Sequence, residues 1–186
     1  MPQETCDSYI TDADFLFENM PTKVIAVRSS PKIDAVGFSV GPFEEGNEYE
    51  VKFWIAREIE KAGITRPREE TLGSSRLYKI QWTERVQAVS QLSSLPRDFY
   101  PRMRRLLDEL KATSKSSPDK MRQYEYVQNI AQDIVDCRLK KIVSLASTPG
   151  QKSQILRNLT VEEQELYERL EKIISKWTAE ILQEEH

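Results

Sequence analysis

Histidine is almost missing from this 186-residue sequence, whose one histidine, His186, is its last residue. A chain end is poorly held, so neither histidine acid–base chemistry nor histidine metal ligation is expected. Two cysteines, Cys6 and Cys137, lie far apart and form no Cys-x-x-Cys pair, which argues against a zinc or dithiol site. The six glycines make no Gly-x-x-x-x-Gly-Lys-Ser/Thr loop, no Gly-x-Gly-x-x-Gly turn and no Gly-x-Ser-x-Gly elbow. Glutamate pairs occur at Glu44-Glu45, Glu69-Glu70 and Glu162-Glu163. Neighbouring side chains diverge, so each pair reads as solvated charge rather than a shared carboxylate site. No apolar run approaches the roughly 18 residues that cross a bilayer, and the first residues are acidic rather than basic. The expectation is an intracellular protein that is not an enzyme, binds no cofactor and contacts no membrane.

What is present is an ordinary share of apolar residues, 39%, with 31% charged residues and a net charge of -3. That composition supports folding. The charge is unevenly placed: residues 1–70 carry fourteen Asp/Glu against eight Lys/Arg, and the remainder sixteen against nineteen. Two basic clusters stand out, Arg97, Arg102, Arg104, Arg105, Lys111 and Lys115, then Arg138, Lys140 and Lys141. They attract phosphates in principle, but a solvated helix face is the commoner meaning and the chain lacks a strongly basic footprint. Asn158-Leu159-Thr160 matches a glycosylation sequon, read here as chance.

The hydrophobic period changes along the chain. Thr22 to Arg28 and Ala35 to Val40 read as strands, and Tyr49, Val51 and Phe53 alternate with charged residues as in a half-exposed strand. From Trp54 the spacing becomes helical and ends at Gly63. Thr65 to Ser75 shows no period and reads as a linker. An extended piece over Leu77 to Trp82, then a helix from Thr83 to Leu92, is expected next. Leu95-Pro96-Arg97-Asp98-Phe99-Tyr100 introduces a further helix with Pro101 in its first turn.

The strongest periodicity runs from Asp119 to Leu145, after a Ser117-Pro118 start signal. Cys137 in that stripe reads as a small buried hydrophobe. Ser147 to Ser153 interrupts it, and Thr160-Val161-Glu162-Glu163 offers a capping box for a final helix striped by Leu166, Leu170, Ile173, Trp177 and Ile181. The fold class is α+β, a small β-containing domain followed by a mostly α-helical bundle. The expected organisation is an N-terminal segment of unassigned role over 1–20, a β-rich domain with a short helix over 21–70, and a helical domain over 71–186.

Gly41-Pro42-Phe43-Glu44-Glu45-Gly46 followed by Tyr49 to Ala56 resembles the GPF-x-x-G turn, strand and Trp-[Leu/Ile]-Ala helix start of GINS replication-complex subunits. Leu95 to Tyr100 is similar to that family's Leu-Pro-x-x-Phe-Tyr entry to the helical domain. Arg138 to Val143 and Leu159 to Glu163 resemble its Arg-x-x-Lys-Ile helix and Leu-Thr-x-Glu-Glu helix start. Each match is degenerate alone; their order, over roughly residues 36–180, is the informative part.

The resemblance implies a B domain before a helical A domain, the order of one of two archaeal classes and two of the four eukaryotic chains; the compact acidic B domain and the absence of long insertions look archaeal. It implies a non-catalytic scaffold in a tetramer with other GINS chains, linking the MCM helicase to a RecJ-like protein and supporting fork unwinding. The chain would then sit with the nucleoid in an archaeal cell, or in the nucleus of a eukaryotic one, with at most weak direct DNA contact. Ile134, Leu170, Ile173 and Trp177 are assigned to the core or subunit interface, with Arg138 and Lys141 in charge-assisted contacts nearby. Phe53 and Trp54 are assigned to the B-domain core, Phe99 and Tyr100 to the A-domain entry. The competing readings are a nucleic-acid-binding helical module using Arg102, Arg104, Arg105 and Arg138 to Lys141, and a generic helical adaptor.

Overall fold

The computed structural model describes residues 7–35, 37–68, 72–89, 91–148 and 153–183, so Cys6, Pro149, Gly150 and His186 lie outside the described residues. The chain divides into two compact units, Met1–Thr71 and Leu72–His186. A small strand-containing region is thus followed by a helical bundle, an α+β chain. Among the described residues no helix is long and apolar enough to cross a membrane.

In the first unit, helix α1 (Asp7–Asn19) precedes strand β1 (Pro21–Ala26). Strand β1 is central in a three-stranded antiparallel sheet, between β4 (Glu48–Lys52) and β5 (Thr65–Pro67). Val24 and Ala26, two apart, turn inward and are buried, as the two-residue period requires. Helix α2 (Phe53–Lys61) covers that face with Ile55, Ala56 and Ile59. Gly63 adopts φ 67° directly after it, the left-handed conformation that ends helices at low cost.

Two expectations for this unit are corrected. Ala35 to Val40 is not one strand: β2 (Ile33–Ala35) and β3 (Phe38–Val40) form a hairpin, with Gly37 at φ 87° between them. Thr65 to Ser75 is not a linker throughout. Its first residues, β5, find a partner in β1 that no local period reports, and Thr65 is buried.

The Gly-Pro-Phe turn is a packing device. Phe43 is buried and exchanges backbone hydrogen bonds with Ser30 in both directions at 2.9 Å. Its ring meets Tyr49 edge-on at 4.9 Å, and the Tyr49 hydroxyl accepts from the Glu44 N–H at 2.8 Å. Gly41 stands at φ 90°, where a Cβ would come within 3.2 Å of the Phe43 ring.

In the second unit, α5 (Pro118–Ser147) packs against α3 (Ser74–Val86), α4 (Phe99–Ser114) and α7 (Val161–Leu182). The short α6 (Ser153–Leu156) leads into α7. Ser117 caps α5 by accepting from the Lys120 N–H, with Pro118 first in the helix. One core gathers Leu77, Phe99, Met103, Val127, Ile130, Ala131 and Ile134; another gathers Ile142, Ala146 and Tyr167. Cys137 is half-buried rather than buried.

Helix α3 corrects the expectation of an extended Leu77 to Trp82 and a helix from Thr83. Leu77 and Glu84, one heptad apart, are buried on one side, while Tyr78, Trp82 and Val86, four apart, are exposed on another. Apolar side chains on two sides of a helix cancel its one-sided signal and imitate a two-residue alternation.

Replacing Gly41 with alanine forces a side chain into the left-handed region and against Phe43. It is expected to cost the first unit about 1–2 kcal/mol, read by urea denaturation.

Candidate functional site

Arg138 and Lys141 sit where the buried stripe of α5 should continue, one and two turns beyond Ile134, and both are buried. The Arg138 side chain is 0% exposed. A buried guanidinium is tolerated only when its donors are satisfied and its charge is countered. Here every donor is used. Nε and Nη2 donate to the Glu163 carboxylate, the latter at 2.7 Å. Nη1 donates to Glu84 at 2.7 Å and to the Ser93 carbonyl at 3.1 Å, and Nη2 also reaches the Asn158 carbonyl at 3.2 Å. Lys141 Nζ donates to the other Glu84 oxygen at 2.6 Å, and Ser93 Oγ donates to Glu84. Two carboxylates and two cations therefore meet in one buried cluster without net charge.

Glu163 has a second duty. Its carboxylate accepts from the Thr160 N–H at 2.9 Å while Thr160 Oγ accepts from the Glu163 N–H at 3.3 Å, closing the capping box of α7. The Tyr100 hydroxyl donates to the same carboxylate at 2.7 Å, and Phe99 beside it is buried. Asn158 Nδ2 donates to the Leu92 carbonyl at 2.9 Å, so this asparagine of the sequon serves the fold.

Electrostatics follow from this geometry. Burial works against the Glu84 charge, but the hydrogen bonds from Lys141 and Ser93 and the charge of Arg138 outweigh it and hold the carboxyl below its ordinary 4.5. Burial likewise opposes the Arg138 charge and is outweighed by Glu163 and Glu84, leaving its pKa raised. Burial and the Glu163 charge push the Tyr100 phenol up, keeping it a donor.

Two expectations change here. Glu163 is not solvated charge but buried. Arg138 and Lys141 make charge-assisted contacts inside the chain, with Glu84 and Glu163. They are likewise unavailable to phosphates. In the other basic cluster, Arg102 pairs with Asp98 at 2.6 Å and Arg104 with Glu162 at 3.6 Å. Glu84 escaped sequence reading altogether. Its signal was the pair of cations on an apolar stripe, which demands buried carboxylates without saying where in the chain they lie.

The assigned apolar residues separate into two groups. Ile134 is core, at 0% exposure, and Leu170 is half-buried against the Ile142, Ala146 and Tyr167 cluster. Ile173, Trp177 and Ile181 are 64%, 61% and 62% exposed. Helix α7 runs alongside α5 with an offset of 25 residues from Arg138 to Glu163. The same offset brings Ser147, the last residue of α5, level with Lys172. Beyond that level α7 continues by roughly 15 Å; Ile174 is still packed against the cluster, while Ile173, Trp177 and Ile181 are exposed beside it. In the first unit, Phe53 is half-buried and meets Phe17 of α1 with tilted rings at 4.3 Å, while Trp54 meets Phe38 edge-on at 4.9 Å.

The sequence model of the GINS complex protein helical bundle domain, Sld5, matches residues 71–182, more than half of the chain. The chain belongs to the GINS family. It is a subunit of a replication complex, in a family of non-catalytic subunits that associate with one another. Among curated proteins none matches it. The segments that resembled GINS motifs thereby acquire a physical reason: Tyr100, Arg138, Lys141, Thr160 and Glu163 of this GINS subunit converge on one buried cluster.

Glu163→Gln removes one of the two charges that hold Arg138. Breaking a buried pair from one side is expected to cost about 3–5 kcal/mol in chemical denaturation. Because the folded Glu84 carboxyl titrates below 4.5, the stability it contributes is complete above that value and is lost as pH falls through its lower folded pKa. Between pH 7 and pH 3, urea denaturation should therefore show a larger loss for the wild type than for Glu84→Gln.

Proposed function

We propose that the chain is a scaffold subunit of a tetrameric GINS assembly that links the MCM helicase to a RecJ-like partner and supports fork unwinding without chemistry of its own. The order of its parts suits the class in which a B domain, residues 21–70, precedes a helical A domain, residues 71–186, an order found in archaeal and eukaryotic chains, and the compact acidic B domain favours the archaeal one. It would then act at the nucleoid, or in the nucleus if the cell is eukaryotic.

The observation that carries this reading is the uncovered end of α7. Ile173, Trp177 and Ile181 form an exposed stripe bordering Leu166, Leu170 and Ile174, which pack in the chain's own core. An exposed apolar stripe that borders a packed one is suited to completion by another chain. Tryptophan is also the residue type most often found to dominate binding energy. Ile173, Leu170 and Trp177 are thus assigned to the contact between subunits, with Ile134 supporting it from the core.

The test is the double variant Trp177→Ala, Ile173→Ala, followed by native mass determination and affinity purification at native expression. Loss of the tetramer is expected, with affinity reduced at least about thirtyfold for a loss of about 2 kcal/mol. The stability of the isolated chain should change little, because both side chains are exposed. Assembly at wild-type affinity would refute the contact. Purification without any replication protein would refute the scaffold role.

A further inference from the structure

The exposed side of α3 carries a second apolar stripe that the α7 contact does not use. Tyr78, Trp82 and Val86 follow one another at four-residue intervals, 50%, 62% and 66% exposed, and Val89 extends the line just past the helix. Tyr78 to Val86 spans about 12 Å of helix, the length of two turns in a partner. The buried side of α3 is fastened to α5 by Glu84 through Arg138 and Lys141, and an edge of the stripe by Gln81 and Arg85 through Asp133 at 2.8 Å and 2.5 Å. The stripe is therefore presented by a helix whose rotation is fixed. On α5, Arg138 bridges Glu84 of α3 and Glu163 of α7, while Asp133 binds α3 and Ile142 packs with Tyr167 of α7.

Charge decides the class of partner. The exposed residues flanking the stripe include Arg76, Lys79 and Arg85, and the one carboxylate of α3, Glu84, is buried on the other side. Arg85 is countered by Asp133. Among the described residues neither Arg76 nor Lys79 meets a carboxylate. Aromatic and aliphatic anchors at helical spacing, edged by cations, complement an amphipathic helix with acidic flanks. Single-stranded nucleic acid would use the two rings, but the stripe continues in valines, which offer bases no stacking platform.

The geometry points to α3 as a second docking surface, centred on Tyr78, Trp82 and Val86, for an acidic amphipathic helix of a partner protein. The inference rests on reading the chain as a scaffold and adds a partner site separate from the subunit contact.

The full-length protein is titrated, by calorimetry, with a synthetic helical peptide bearing leucines at four-residue spacing and glutamates on its flanks. A counterpart with the same leucines and lysine flanks is titrated in parallel. The acidic peptide should bind at least about tenfold more tightly than the basic one, with Trp82→Ala abolishing most of the affinity and Lys79→Glu erasing the preference. Trp177→Ala, Ile173→Ala should leave the titration unchanged even where the tetramer is lost, which separates this proposal from the subunit contact. Equal binding of both peptides, indifference to Trp82→Ala, or no saturation by about 1 mM would overturn it. So would a fall in native mass on Trp82→Ala, which would make α3 a contact between subunits. Binding of oligo(dT) that is lost on Trp82→Ala would also overturn it, in favour of nucleic acid.

Discussion

The Arg138 guanidinium lies fully buried between two carboxylates, and most of the helical unit is arranged around the need to satisfy it. Its partners come from α3 (Glu84), the segment before α4 (the Ser93 carbonyl), the turn before α7 (the Asn158 carbonyl) and α7 itself (Glu163). A buried ion cluster is weak evidence for net stability, since apolar residues of the same volume often do as well. What it supplies is register. A guanidinium has five donors in a rigid plane, and only one placement of α3, α5 and α7 satisfies them together. Glu163 compounds the constraint by also capping α7, so the start of that helix and its height beside α5 are set by the same carboxylate.

That register has a functional consequence. With Glu163 held against Arg138, α7 must outrun α5, and Trp177 and Ile181 are carried past the last turn of the helix that packs Leu166 and Leu170. A helix slid back by two turns would bury more of its own stripe and leave less for another chain. The same cluster orients α3, because Glu84 must face inward, which turns Tyr78, Trp82 and Val86 outward. One set of buried charges thus determines which apolar side chains two helices offer to partners.

The periodic elements were legible because burial imposes its period on sequence. The α5 and α7 helices, the Ser117-Pro118 start and the capping box at Thr160 follow from local chemistry and appear where that chemistry places them. The elements misread are those whose partners are remote. Strand β5 exists because β1 accepts it, and α3 hides its period because it is apolar on two sides. The charged residues were hardest: Arg138 and Lys141 looked like solvent-facing cations, and Glu163 like half of a solvated pair.

By itself the sequence determined the α+β order, the long amphipathic helices, their caps and the ordered motifs that mark the family, because each depends on residues within a few turns of one another. Only the tertiary structure decided which charges are buried, that Glu84 belongs with Arg138 and Lys141, and which part of each apolar stripe is left uncovered. Those outcomes depend on pairings across 54 and 25 residues. Local propensity carries no information about such distances, since the energy of a buried charge is set by the partner that folding brings to it.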